Sequence, residues 1–178
     1  MSGYLNARSE YVTMLTWLFD QSLPLWGSLG TDFASGGFHE KISLDGSILE
    51  VPKRTRVTGR QIYSFATGGQ LGWDGPWREL VEHGWSFMRA SCFLADGCVK
   101  SAVDPIGVNH KLNFDLYDHA FALFGLCSVA SGLPHSADEA SDLALKCLNQ
   151  MKAGWKHAAA GFHECQPYRT PLCSNPHM

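Results

Sequence analysis

Charged side chains are scarce in this sequence: Asp, Glu, Lys and Arg make up 17% of its 178 residues, where about 25% is usual for a soluble domain. A domain of this size has a large surface to wet, so the low charge suggests a chain that expects further protein around it. Basic clusters and acidic runs are absent. With 14 Lys and Arg against 17 Asp and Glu, the formal net charge is -3. A nucleic-acid groove or a polybasic membrane patch has no electrostatic basis, while small neutral or mildly anionic partners stay open. No apolar run reaches 18 residues, so no membrane-spanning helix is expected. The stretch from Met1 to Arg8 lacks the basic-then-apolar pattern of an export leader. The cysteines, at positions 92, 98, 127, 147, 165 and 173, show no C-x-x-C spacing, which argues against a zinc knuckle or redox dithiol. No His-x-x-x-His spacing occurs either, so neither a metal nor another cofactor is expected. These absences point to a reduced, cytoplasmic protein.

What is present is apolar and helical. Hydrophobic residues make up 45% of the chain, enough for one domain with a real core. Trp77, Leu80, Val81, Gly84, Trp85 and Met88 fall on one helical face, with Pro76 expected in the first turn. Leu116, Ala120, Leu123, Phe124 and Cys127 make another stripe, closed by Gly132 and Pro134. Ser136 and Glu139 have capping-box spacing before a stripe of Ala140, Leu143, Ala144, Cys147, Leu148 and Met151. Two less regular helices are expected from about Arg8 to Gln21 and from Thr58, as N-cap, to about Leu71. On this pattern Cys92, Cys127 and Cys147 read as small buried hydrophobes.

The connectors repeat. Gly36-Gly37-Phe38-His39-Glu40 leads to Gly46, and Gly97-Cys98-Val99-Lys100-Ser101 leads to Gly107, 61 residues later at both ends. Gly161-Phe162-His163-Glu164 matches Gly37-Phe38-His39-Glu40 at an offset of 124, close to twice 61. A unit of two helices and a loop, each helix with one apolar stripe, buries its faces only by stacking, as an open solenoid or a closed toroid. Turns at Asp45-Gly46 and Asp96-Gly97 read as hairpins on one rim, where aromatics, His and Glu would build a site.

Four stretches carry a resemblance: Gly36-Gly37-Phe38-His39-Glu40, Arg54-Thr55-Arg56-Val57-Thr58-Gly59-Arg60-Gln61-Ile62-Tyr63-Ser64-Phe65-Ala66, Asp115-Leu116-Tyr117-Asp118-His119-Ala120-Phe121-Ala122-Leu123, and Asn175-Pro176-His177-Met178. In this order the chain resembles the N-acylglucosamine 2-epimerase superfamily, in its sugar-isomerase branch with mannose and sulfoquinovose isomerases. The resemblance implies an all-α (α/α)6 toroid about twice this length, acting on an open-chain sugar without a metal. Three repeats are half of six, so residues 1–178 read as the N-terminal half of one barrel domain, an incomplete half barrel of about three helix pairs. The catalytic residues are then unknown here, because the family's proton-transferring histidines fall after Met178, and turnover by this chain alone is not expected.

The resemblance marks Arg56, Tyr117 and Asn175 as substrate-binding. A guanidinium at Arg56 suits sugar hydroxyls or an enediolate oxygen, and the plainer reading is a structural arginine paired with a carboxylate near a helix start. Tyr117 either meets the sugar or satisfies an interior hydroxyl. Asp118 and His119 form either a proton relay or helix-end structure, with structure favoured. Arg54 and Arg60 are weaker, Arg60 being expected to face packing or solvent. Recurrence of His39-Glu40 and His163-Glu164 suits loop bracing better than acid-base chemistry. His177 carries less weight than Asn175. Trp26 and Trp73 are possible sugar platforms but more often core.

The function expected is aldose–ketose isomerisation or 2-epimerisation through an enediol(ate). The alternatives are a glycoside hydrolase-like toroid, with Glu40, Asp118 and Glu164 its available carboxylates, and a non-enzymatic helical-repeat binding module. A small-molecule sugar is the expected partner, with no nucleic acid, no membrane and a possible homodimer.

Overall fold

The computed structural model describes residues 2–108 and 110–168; Asn175 and His177 lie outside the described residues. The chain is mostly helical. Helix α1 (Ser2–Trp17) continues through a π-helical turn (Leu18–Ser22) into α2 (Leu23–Ser28), so the first expected helix is longer than Arg8 to Gln21. After a loop come strand β1 (Lys53–Arg54), α3 (Thr55–Gln70) and α4 (Trp77–Ser91). Strands β2 (Ala102–Val103), β3 (His110–Lys111) and β4 (Phe114–Asp115) precede α5 (Leu116–Gly132) and α6 (Ala137–Gly154), and β5 (Cys165–Gln166) follows. Every strand is two residues long, and they pair as two antiparallel ribbons, β1-β2-β3 and β4-β5.

Helices α3 and α5 run side by side and parallel, since their partners climb together: Arg56 with Asp118, Tyr63 with Phe124. They approach closely because glycines meet at the crossing. A Cβ on Gly125 would lie 2.7 Å from the Gly59 Cα, and one on Gly59 would run into the Phe121 carbonyl oxygen. Helix α4 returns antiparallel on α3, with Gly69 against Trp77 and Gly84 against Ile62. Between these layers Ile62, Phe65, Val81, Trp85, Met88, Leu126 and Val129 are essentially inaccessible, each burial stabilising by about 1.5–3 kcal/mol.

The 61-residue repeat is a repeat of hairpins. Thr31 bridges Phe38, Phe93 bridges Val99, and Lys156 bridges Phe162. The closing bonds correspond: His39 N to Gly30 O, Lys100 N to Cys92 O, and His163 N to Trp155 O, at 2.8–2.9 Å. Gly36 and Gly97 take the same turn position with φ of 87° and 89°, a region glycine enters at little cost. The second and third hairpins also reach back to an inner helix: the Ser101 carbonyl accepts from Thr55 N, and the Glu164 carbonyl accepts from Leu116 N.

Several local expectations are corrected. The cap residue of α3 is Arg54, with Thr58 buried inside the helix, because hairpin contacts start the helix a turn early. Pro76 stands at the N-cap of α4 rather than inside it. Ser136 makes no capping bond; Glu139 turns outward to Arg89, 2.9 Å away. On α5 the stripe is misread: Ala122, Leu126 and Val129 are buried, while Phe124 and Cys127 are exposed. This helix is apolar on every side, so periodicity does not identify its packed face. Cys92 and Cys147 are buried as expected, and burial pushes their thiols up to about 11 and about 12.

Candidate functional site

The starts of α3 and α5, with the strands before them, wall a cavity of about 560 Å³. Glu40 from the first hairpin, Arg54 and Arg56 from β1-α3, and Phe114, Asp115 and Asp118 from β4-α5 line it. The two inner helices thus bring residues about 60 apart in sequence to one place. Asp115 caps α5 by accepting from the Tyr117 backbone N–H at 2.9 Å, which fixes the first turn and points Asp118 and Tyr117 toward α3.

Arg56 Nη1 donates to Asp118 Oδ1 at 3.0 Å. The Asp118 side chain is almost wholly enclosed, whereas that of Arg56 keeps about a quarter of its surface. The pair therefore leaves part of the guanidinium open to the cavity. Burial pushes the Asp118 carboxyl up to about 6 against the attraction of Arg56, and the like charge of Asp115 adds to the rise. Glu40 is spent differently: its carboxylate accepts from the Arg54 backbone N–H at 3.1 Å and pairs with the Arg54 guanidinium.

Tyr117 stands beside the cavity. Its ring lies 5.7 Å from the Arg56 guanidinium carbon, and its hydroxyl accepts from Arg60 Nη2. Arg60, expected to face packing or solvent, sits over the Phe121 ring at 4.0 Å. His119 does not pair with Asp118. It is buried, with Nδ1 2.9 Å from the Asp115 carbonyl and Nε2 3.3 Å from the Val99 backbone N–H. This pattern makes Nδ1 the protonated nitrogen and Nε2 the acceptor. Burial lowers its pKa, so the neutral ring ties the second hairpin to β4. The structure therefore brings Arg56 and Tyr117 together and gives His119 a bracing position. Glu40 braces β1, as its recurrence in the hairpin motif suggests, and lines the cavity as well. Trp73 is buried and stacked near Phe65, and Trp26 packs against the core.

Sequence reasoning missed Arg60 as a partner of Tyr117 and Arg54 as a wall of the cavity. The repeat held the signal, because an offset of 61 sets Arg54 on Asp115, Arg56 on Tyr117 and Arg60 on Phe121.

Residues 36–178 match the family model for N-acylglucosamine 2-epimerase. The chain belongs to the N-acylglucosamine 2-epimerase family. It is 40% identical over 162 residues to a mannose-6-phosphate isomerase of Rhizobium meliloti (strain 1021), a match that spans 91% of this chain and 42% of that protein. Among solved structures, the cellobiose 2-epimerase of Spirochaeta thermophila DSM 6192 superposes with a TM-score of 0.79 at 23% identity, over 89% of this chain and 39% of that one. A D-mannose isomerase superposes with a TM-score of 0.71 at 18% identity, over 83% and 37%. The chain thus spans about two-fifths of these relatives and has the fold of part of an (α/α)6 toroid. No described helix is long and apolar enough to cross a membrane.

Proposed function

We propose that the chain is the N-terminal half of an (α/α)6 barrel whose complete form isomerises or 2-epimerises an open-chain aldose. The observation that carries this reading is the Arg56–Asp118 pair on the cavity wall, within a chain of epimerase family membership. Removing the proton next to a sugar carbonyl puts negative charge on its oxygen, and a guanidinium already aimed at that oxygen stabilises the enediolate without reorganising. Asp118 fixes Arg56 from behind. Tyr117 and Asn175 complete the hold on the sugar, and bases supplied outside these residues move the proton. The carboxylates Glu40 and Asp118 are each bound to an arginine, which suits substrate holding better than the free acid-base couple of a glycoside hydrolase.

Charge in the cavity supports a neutral sugar. Arg54 and Arg56 among its lining residues are already paired with Glu40 and Asp118, so a phosphate dianion would find these two cations engaged. The test is conversion of mannose to fructose, with mannose 6-phosphate compared, by this chain and by one extended through further helix pairs. Turnover of free mannose is expected in the extended form only, and Arg56→Gln there should lower kcat/KM by about 100-fold or more. Turnover indifferent to Arg56→Gln would overturn the reading. So would activity of the short chain that disappears on His39→Ala or His163→Ala.

A further inference from the structure

We infer that Arg60 is the positioning residue that makes Tyr117 a hydrogen-bond donor to the sugar, an inference that rests on the function proposed above. Tyr117 and Phe121 are one turn apart on α5, with rings 4.9 Å apart and edge to face at 71°. Their rings form a notch, and the Arg60 guanidinium from α3 fills it, 4.0 Å from the Phe121 centroid and 5.2 Å from that of Tyr117. The notch exists because Gly59 and Gly125 let the two helices approach. Cation–π contact holds the guanidinium in place, and its Nη2 donates to the phenolic oxygen.

This fixes the direction of the remaining bond. A phenol has one proton to give and oxygen lone pairs to accept with. With Arg60 on the acceptor side, the Tyr117 O–H is turned away from Arg60 and is available as a donor. Among the described residues no carboxylate pairs with Arg60, unlike Arg54 and Arg56. Its charge therefore acts on the phenolic oxygen, which is a stronger donor when a cation polarises it. Arg60 touches no substrate; it sets the polarity of a residue that does.

The experiment uses the full chain labelled at tyrosine Cζ, with the Tyr117 resonance assigned by Tyr117→Phe. Arg60→Gln is expected to move the Tyr117 resonance and leave those of Tyr11, Tyr63 and Tyr168 in place, with Arg60→Lys intermediate. Titration with mannose is expected to shift the Tyr117 signal in the parent. Arg60→Gln and Tyr117→Phe should each weaken mannose binding about tenfold, and the double variant should bind no worse than Tyr117→Phe alone. A Tyr117 resonance that ignores Arg60→Gln overturns the inference whatever the sugar does. Additive losses in the double variant overturn it as well, because Arg60 then acts independently of Tyr117. A parent that shows no mannose response while the resonance still tracks Arg60 removes the sugar-site reading and leaves the Arg60–Tyr117 coupling standing.

Discussion

Strand β1 with helix α3, and strand β4 with helix α5, open at equivalent points of two repeats 61 residues apart, and over the strands and first helical turns they differ in chemistry at nearly every position. Lys53 stands where Phe114 stands, Arg54 where Asp115 stands, Arg56 where Tyr117 stands and Arg60 where Phe121 stands. One repeat supplies cations and the other carboxylates and rings. Where the two helices meet, the differences become partners: Arg56 with Asp118, and Arg60 with Tyr117 and Phe121. The hairpin scaffold repeats, and the site is made by its failure to repeat. A helix pair duplicated without change would set like charges side by side, which costs stability and binds nothing.

Lys53 and Phe114 give the largest expected effect. Lys53 is buried, donating to Asp32 Oδ2 at 2.7 Å and to the Gly36 carbonyl at 2.6 Å, while Phe114 in the second repeat stacks on Trp155 at 4.0 Å. Lys53→Met leaves the Asp32 carboxylate buried and unpaired, and should cost about 3–5 kcal/mol in urea denaturation. Hairpin equivalence places Asp32 on Leu94. Copying the second repeat with Asp32→Leu and Lys53→Phe together should therefore recover most of that loss. Burial raises the Asp32 carboxyl, but the Lys53 and Ser35 hydrogen bonds outweigh it and leave its pKa lowered. A lowered carboxyl contributes stability above its ordinary value, near 4, and loses it as pH falls through the folded value. The acid limb of the stability curve should flatten in the double variant. An equally steep limb would show that this pair does not set it.

The glycine crossing gives the next effect. If intrinsic propensity ruled, Gly125→Ala would stabilise α5 by about 1 kcal/mol. The added Cβ would instead meet the Gly59 backbone at 2.7 Å, and the expected outcome is a loss of about 1–3 kcal/mol. Gly154→Ala, with no atom within 4 Å of the new Cβ, should be neutral or mildly stabilising. Equal behaviour of the two variants in thermal unfolding would mean that the helices can separate without penalty.

How much of this the sequence shows follows from what each interaction depends on. Helices α4 and α6 are legible because one face packs and the other is wet, so burial at Val81, Trp85, Ala140 and Cys147 follows the period. Helix α5 is not, because it is apolar on every side, and Phe124 and Cys127 carry no mark that separates them from Leu126 and Val129. The hairpins are legible in their glycines, since a turn at φ near +88° demands one wherever it falls. Of the site, Arg56 and Tyr117 come from family resemblance and their proximity from the repeat. Asp118 as the partner of Arg56, and Arg60 as the partner of Tyr117, depend on how closely and at what rotation two helices pack. Only the crossing at Gly59 and Gly125 determines that.

Asp118 and Asp32 sharpen the comparison at the level of a single carboxyl. Both are buried beside a cation, yet Asp118 is pushed up to about 6, because burial and Asp115 oppose its one bond from Arg56. Asp32 is lowered, receiving two backbone N–H groups as well as Lys53. The signs for stability are opposite: a raised carboxyl is a cost above about 6 that is relieved as pH falls toward 4. Carboxyl-carbon NMR should place Asp118 near 6. Arg56→Gln should move it up by about one pH unit and Asp115→Asn should move it down. An Asp118 that titrates near 4 would mean water reaches it freely, and the cavity wall would need redrawing.

The smallest effect is expected on the outer layer, where the repeats also touch across charges. Arg89 of α4 and Glu139 of α6 lie 2.9 Å apart, but both side chains are about half exposed. Water screens the pair and ordering two long side chains costs entropy, so Glu139→Gln should change stability by no more than about 0.5 kcal/mol. The difference should vanish when salt shortens the screening length below the spacing of the charges and their neighbours. A capping-box role for Glu139 predicts otherwise: Ser136→Ala and Glu139→Gln would each cost about 1 kcal/mol in any salt. Since Ser136 makes no capping bond, Ser136→Ala should show no such salt-independent loss of helix stability. A salt-independent loss from both variants would restore the capping box and detach Glu139 from Arg89. A loss confined to low salt would instead show that the outer helices touch through solvent-screened charge, while the inner pair is held by groups that water barely reaches.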